Sequence, residues 1–169
     1  MKVLVTAATK YGATAEIARA IGDVLAERGF ETKVLPPEEV GSIDDYDAVI
    51  LGSAAYAGHW LDPAEELVDR SGAALAARPV WLFSSGPVGD PSRKMVQRMG
   101  EAPVDVEDLL VATQARNHRV FGGKIDKRNL SFPERAMLLA FRGLEGDFRD
   151  WGDIEEWASE IADALGPAS

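Results

Sequence analysis

KVLVTAATKYGATAEIARAIGDVLAERGF, residues 2–30, decides the fold. Its opening, KVLVTAA, is an apolar run rich in β-branched residues and reads as a buried strand. TKYGAT, residues 9–14, interrupts that run. From Thr14 to Arg28 the apolar spacing becomes helical, with Ile17, Ala18, Ile21, Val24 and Leu25 on one face. Gly29 stops the helix. A buried strand that enters a helix through a glycine turn is the first half of a parallel crossover unit. A bare turn would need only Gly12, so the threonines on either side of it call for a further explanation.

The same alternation runs outward along the chain. FETKVL (30–35) is a second strand, and PPEEVGSIDDY is a connector. DAVILGS (47–53) is a third strand, continuous in its apolar character as a central parallel strand is. LDPAEELVDRSGAALAA (61–77) is a second helix, with Asp62 suited to its N-cap and Pro63 to its first turn. PVWLFSSG (79–86) is a fourth strand, VDVEDLLVATQA (104–115) a third helix and HRVFGGKI (118–125) a fifth strand. WGDIEEWASEIADAL (151–165) closes the pattern with Ile154, Trp157, Ala158, Ile161 and Leu165 on one face, before a frayed GPAS tail. Strands alternating with helices predict a mostly parallel α/β sheet with helices on both faces. Residues 126–150 are the irregular part, read as a short insertion within one domain spanning 1–169. That insertion holds a short helical candidate, FPERAMLLAFRG (132–143).

Composition narrows the chemistry. With 169 residues, 46% hydrophobic and 27% charged, the chain buries a sizeable core and is not disordered. It has no cysteine, which removes disulfides, thiolate metal sites, iron–sulfur clusters and a cysteine nucleophile. Its two histidines, His59 and His118, stand far apart and offer little to a zinc centre or a serine triad; no metal site is expected. No apolar run approaches the roughly 20 residues of a membrane span, and MKVLVTAAT is too short for a signal peptide. A cytoplasmic protein is the expectation. The net charge of −10 argues against nucleic acid as a partner. Residues 116–149 nevertheless hold eight Lys or Arg against four acids, a local +4 that leaves −14 elsewhere. Such a segment is either a docking surface or a solvated face.

In an open parallel sheet, ligands bind beyond the carboxyl ends of the strands. Three loops lie there: TKYGAT, SAAYAGHW (53–60) and SSGPVGD (84–90). The first has the chemistry of a phosphate cradle. Gly12 permits the tight turn, the first helical amides point outward with the dipole behind them, and Thr9 and Thr14 add hydroxyls. The alternative is an N-cap with a glycine turn. There is no G-x-x-x-x-G-K-[ST], no G-x-G-x-x-G after the first strand, and no acidic pair at the end of that strand. The second loop carries Tyr56 and Trp60 around Gly58 and His59, suited to stacking on a flat conjugated ring; the alternative is that Trp60 packs beneath its own loop. The third loop offers amides, two hydroxyls and little bulk. A phosphorylated flat heterocycle satisfies all three, and flavin mononucleotide (FMN) is one.

On these residues the chain resembles the flavodoxin superfamily. TKYGAT is similar to its T/S-x-T-G-x-T phosphate loop, with Tyr11 where a small hydroxyl residue is common. LGSAAYAGHW is similar to the flavin-side loop that ends the third strand. Within the superfamily, TKYGATAEIA, LGSAAYAGHWLDPA, VWLFSSGPVGD, HRVFGGKID and DFRDWGDIEEWASEI together resemble the flavodoxin-type, menaquinone-dependent protoporphyrinogen oxidase branch.

The resemblance implies a flavodoxin-like three-layer fold with a five-stranded parallel sheet in the order 2-1-3-4-5. It implies FMN held noncovalently, with Thr9, Lys10, Tyr11, Gly12, Ala13 and Thr14 on the phosphate. Ser53, Ala54, Ala55, Tyr56, Ala57, Gly58 and Trp60 on one side, and Ser84, Ser85, Gly86, Pro87, Gly89 and Asp90 on the other, would flank the ring system. Ala57 and Gly58 are candidates for a peptide that turns over beside the flavin N5, and acidic surroundings would lower the flavin's potential. His59, beside the flavin in this arrangement, is the candidate catalytic residue; His118 reads as structural.

The implied activity is an oxidoreductase of heme biosynthesis that passes electrons from a small-molecule donor, protoporphyrinogen in the named case, through FMN to a quinone or other acceptor. The alternatives are an electron carrier for a protein partner and a flavin-free scaffold. Further partner expectations are a homodimer and a peripheral contact with the inner face of the membrane through 132–143. The branch usually carries a longer, more hydrophobic insertion than RNLSFPERAMLLAFRGLEGDF. The apolar run Ala136 to Phe141, between Arg135 and Arg142, either docks on lipid or porphyrin carboxylates or caps the core.

Overall fold

The structure is a computed structural model that describes residues 1–56, 58–86, 105–125, 128, 132–133 and 146–168. Strand β1 (Lys2–Ala8) leads through TKYGAT into helix α1 (Ala13–Glu27), and β2 (Glu31–Leu35) follows. Two single-turn 3-10 helices, Pro37–Glu39 and Ile43–Asp45, fill the connector before β3 (Ala48–Tyr56). The chain doubles back in β4 (His59–Trp60), then forms α2 (Asp62–Ala76) and β5 (Val80–Gly86). After the described residues resume come α3 (Val106–Thr113), β6 (His118–Gly122), β7 (Lys124–Ile125), β8 (Gly146–Asp147) and α4 (Trp151–Leu165).

The parallel strands lie in the order β2-β1-β3-β5-β6, which is the 2-1-3-4-5 arrangement expected from the sequence. Their side chains alternate between two apolar layers. Val3, Val5, Ala48, Ile50, Trp81 and Phe83 meet α1 and α4 on one face. Leu4, Val49, Leu51, Val80 and Leu82 meet α2 and Leu109 of α3 on the other. Burial on both faces explains why these strands read as continuous apolar runs. Under α4, the rings of Phe83, Phe121 and Trp157 form a mutually tilted cluster with centroids 5.5 to 6.0 Å apart.

Three local expectations are corrected. HRVFGGKI is not one strand: β6 ends at Gly122, and Lys124–Ile125 turn away to pair antiparallel with β8. Leu61, not Asp62, occupies the N-cap of α2, because the Leu61 carbonyl already accepts the first helical bonds, from the amides of Ala64 and Glu65 at 3.1 and 3.4 Å; Pro63 still falls in the first turn. The sheet also gains a sixth strand, since β4 folds back on β3 with Tyr56 opposite His59 and Ala55 opposite Trp60. The candidate helix 132–143 lies outside the described residues except for Phe132 and Pro133. Among the described residues no helix is long and apolar enough to cross a membrane.

Candidate functional site

The chain leaves β1 towards β2 on one side, while β3 lies on the other side of β1, so the strand order reverses between β1 and β3. The loops after those two strands flank the resulting crevice.

The loop after β1 is held from within. Gly12 stands at the N-cap of α1 with φ 91° and ψ −13°, in the left-handed region that glycine enters without strain. Its N–H donates to Thr9 Oγ1 at 2.9 Å. The first bond of the helical ladder is Glu16 N–H to Gly12 carbonyl, at 3.1 Å. The amides of Ala13, Thr14 and Ala15 therefore precede the ladder at the positive end of a 15-residue helix. A Cβ added to Gly12 would meet nothing within 4 Å among the described residues, which leave the space above the turn open. Thr9 thus shapes the loop, and Thr14, 2% exposed, lies just inside it.

An acid in this first turn, Glu16, would repel an anion, but Arg149 neutralises it. The Arg149 side chain is only 4% exposed. It bonds Glu16, grips Asp147 with Nε and Nη2 at 2.8 and 2.7 Å, and donates to the Ala13 carbonyl at 3.3 Å. These bonds hold the Asp147 carboxyl below the usual range and the guanidinium above its own. Arg119 likewise pairs with Asp153 at 2.6 Å, and the Arg116 guanidinium lies 5.0 Å from the Trp81 ring centre. These three cations of the basic segment 116–149 therefore have structural partners within the fold. Lys127, Arg135 and Arg142 lie outside the described residues.

Lys10 joins the two loops. Its ammonium is 5.3 Å from the centre of the Tyr11 ring and 5.0 Å from that of Tyr56, at the end of β3. A cation at this distance from two aromatic faces is attracted by both. Tyr11 is 38% exposed and Tyr56 partly so, which leaves aromatic surface at the crevice.

The hairpin after β3 turns at Gly58, with φ 79°. Ala57, the other candidate for a turning peptide, lies outside the described residues. The stacking role expected of Trp60 is corrected. The residue is 3% exposed, and its indole Nε1–H donates to Ser84 Oγ at 2.7 Å. Burial against α2 fixes the ring beneath its own loop, and Tyr56 remains as the ring of this hairpin that the crevice can use. The hydroxyls of Ser53 and Ser84 are likewise engaged within the protein. Ser53 accepts from Leu61 N–H at 2.9 Å and donates to the Ala54 carbonyl at 2.8 Å. Ser84 Oγ is 2.7 Å from His118 Nε2. Because Ser84 accepts from Trp60, its own proton is free to donate to that nitrogen. Burial pushes the His118 pKa down to about 4, which keeps the imidazole neutral and able to accept.

Ala54 and Ala55 continue β3, and Ser85 and Gly86, both buried, end β5. Pro87, Gly89 and Asp90 lie outside the described residues. His59 is exposed on the hairpin, its Nδ1 4.0 Å from Asp105 Oδ2. Asp105 also accepts from Trp60 N–H at 3.3 Å. Sequence reading missed Asp105 and Glu65, which meet at this hairpin. Their one signal is an acid at a helix start, Asp105 at the N-cap of α3 and Glu65 in the first turn of α2, and that occurs by chance in many helices. It missed the structural part of Arg149 for the same reason: the partners Glu16 and Ala13 are more than a hundred residues away.

Known proteins share this fold. A family model described as a flavodoxin domain matches residues 4–150. The protoporphyrinogen IX dehydrogenase [quinone] of Escherichia coli (strain K12) is 26% identical over 175 residues, covering 96% of this chain and 95% of that protein. Among solved structures, a flavodoxin from the domain Archaea superposes with a TM-score of 0.65 at 16% identity, covering 98% of this chain and 99% of that one. Flavodoxin 1 from Bacillus cereus gives a TM-score of 0.63 at 15% identity, covering 98% and 100%. At such identities the two structures speak for the fold alone.

Proposed function

This chain belongs to the flavodoxin domain family, and we propose that it binds FMN and passes electrons from a small-molecule donor, protoporphyrinogen in the named case, to a quinone. The observation that carries the proposal is the open turn at Gly12. Three amides ahead of the α1 ladder and unobstructed space above a left-handed glycine are the donor set and the room that a phosphate monoester needs. Arg149 pairs with the acid in that turn, and the Lys10 ammonium belongs to the same loop, against the Tyr11 ring.

When bound, FMN supplies the two-electron chemistry. Gly12, Ala13, Thr14 and Lys10 would hold the phosphate, with Thr9 fixing the turn. Tyr56, at the end of β3, would present an aromatic face to the flat ring. His59, exposed on the same hairpin, would hold or release a proton at an imidazole nitrogen close to that ring. Trp60, Ser84 and His118 would keep the hairpin seated on β5. The Escherichia coli relative is named for a quinone, which supports a quinone as acceptor.

The test is anaerobic mixing of the FMN-loaded protein with protoporphyrinogen, followed by addition of menaquinone. Bleaching of the flavin absorbance by the porphyrinogen and its return with the quinone are expected. A flavin that stays oxidised with the porphyrinogen, yet accepts electrons from a protein reductase, would instead establish an electron carrier.

A further inference from the structure

Behind the β4 hairpin, Asp105 has one oxygen in use and one without a partner. Oδ2 accepts from Trp60 N–H at 3.3 Å and lies 4.0 Å from His59 Nδ1. Oδ1 is enclosed and receives no hydrogen bond from any N–H or O–H among the described residues. An enclosed carboxylate oxygen without a donor is costly, and such orphan atoms are rare in folded proteins.

The neighbour best placed to act as donor is itself an acid. The Glu65 carboxyl of α2 is set against that of Asp105 at the start of α3. Two ionised carboxylates have no proton between them and repel; one protonated carboxyl both donates and removes the repulsion. We propose that the Glu65 carboxyl keeps its proton and donates it in a hydrogen bond to Asp105 Oδ1, and that this bond clamps the start of α3 onto the hairpin, making Asp105 the positioning residue for His59.

The surrounding charges favour keeping that proton. The hydrogen bond with Asp105 raises the Glu65 pKa most, burial and the Asp105 charge add to it, and Asp62 and Asp69 on the same helix contribute least; together they lift it to about 7. Glu107 and Asp108, the next acids of α3, are exposed. From the 3-10 turns packed on α2, Asp44 is taken by Arg78. The guanidinium of Arg70, also on α2, donates to the carbonyls of Pro37 and Val40. The His59 imidazole, on the hairpin, faces Asp105 with Nδ1 4.0 Å from Oδ2. Loss of the Glu65 proton near neutrality therefore sets two like charges between α2 and α3. Their repulsion draws Asp105 away from Trp60 N–H and His59. The clamp itself does not depend on a flavin; its consequence for proton handling by His59 rests on the FMN reading above.

The test needs no cofactor. Backbone amide NMR of the full chain, titrated from about pH 5.5 to about pH 8.5, follows the Trp60 amide. The expected result is a titration of that amide with a midpoint near 7 in the parent protein. It should persist in His59→Gln and be lost in Glu65→Gln, which donates a hydrogen bond but cannot ionise. Asp105→Asn should shift the amide at every pH. A Trp60 amide that does not move with pH, or one whose titration survives Glu65→Gln and vanishes in His59→Gln, would overturn the proposal. The same series with FMN added reads the consequence separately. A pH-dependent flavin affinity that becomes flat in Glu65→Gln is expected; absence of FMN binding would count against the flavin reading and leave the amide titration standing.

Discussion

The indole Nε1–H of Trp60 donates to the hydroxyl of Ser84 at 2.7 Å, tying the hairpin after β3 to the middle of the sheet. That bond explains why an aromatic residue in a ligand-side loop is not a ligand contact. Ser84 also meets His118 Nε2, so one hydroxyl serves three strands, β4, β5 and β6. Ser84→Ala leaves a buried indole N–H and a half-buried imidazole nitrogen without this partner. A loss of about 1–3 kcal/mol is expected in urea unfolding, whereas Ser84→Thr, which keeps the hydroxyl, should restore part of it.

Gly12→Ala separates conformation from crowding. Among the described residues nothing stands within 4 Å of the added methyl, so its cost is the left-handed backbone alone, about 1–2 kcal/mol. Thermal unfolding should show that loss. FMN affinity should fall further than stability, because a methyl would occupy the space assigned to the phosphate. Equal FMN affinity in the variant and parent would place the phosphate elsewhere.

Arg149 offers a test of charge in the fold. Arg149→Met retains the apolar stem but leaves Glu16 and Asp147 unpaired, one of them in the first turn of α1. Because both acids are partly exposed, a loss of about 2 kcal/mol is expected in denaturant titration. FMN binding should weaken as well, since Glu16 would then oppose the phosphate. Restoration of FMN affinity in the double variant Arg149→Met with Glu16→Gln would confirm the electrostatic route.

Two groups give stability opposite slopes with pH. His118 has its pKa lowered from 6.5 to about 4, so its contribution is present above about 6.5 and is lost as pH falls towards 4. Glu65 has its pKa raised from 4.5 to about 7, so its contribution is present below 4.5 and is lost as pH rises through 7. Thermal melts of His118→Gln should lose the decline on the acid side. Those of Glu65→Gln should lose the decline between 4.5 and 7.

The contrast between these residues shows what a sequence makes legible. The central strands could be read because burial on both faces leaves continuous apolar runs, and α1 and α4 because one helical face repeats. Thr9, Gly12 and Thr14 could be read because a phosphate loop is built from adjacent residues. The hairpin could not. A two-residue strand has no periodicity, and the roles of Trp60 and His59 depend on Ser84 and Asp105, 24 and 45 residues beyond Trp60 in the chain. HRVFGGKI reads as one strand because its apolar residues span Gly122 and Gly123. The break appears only through the pairing of Ile125 with Gly146.

The central claim is that the turn at Gly12 is built for a phosphate carried by a flavin. Comparing the affinities of FMN and riboflavin by quenching of flavin fluorescence tests it most directly, because the two ligands differ only in that phosphate. The account predicts tight, stoichiometric FMN binding and riboflavin binding weaker by about a hundredfold or more, the value of two charge-assisted hydrogen bonds. Riboflavin bound as tightly as FMN, or neither ligand bound, would contradict it.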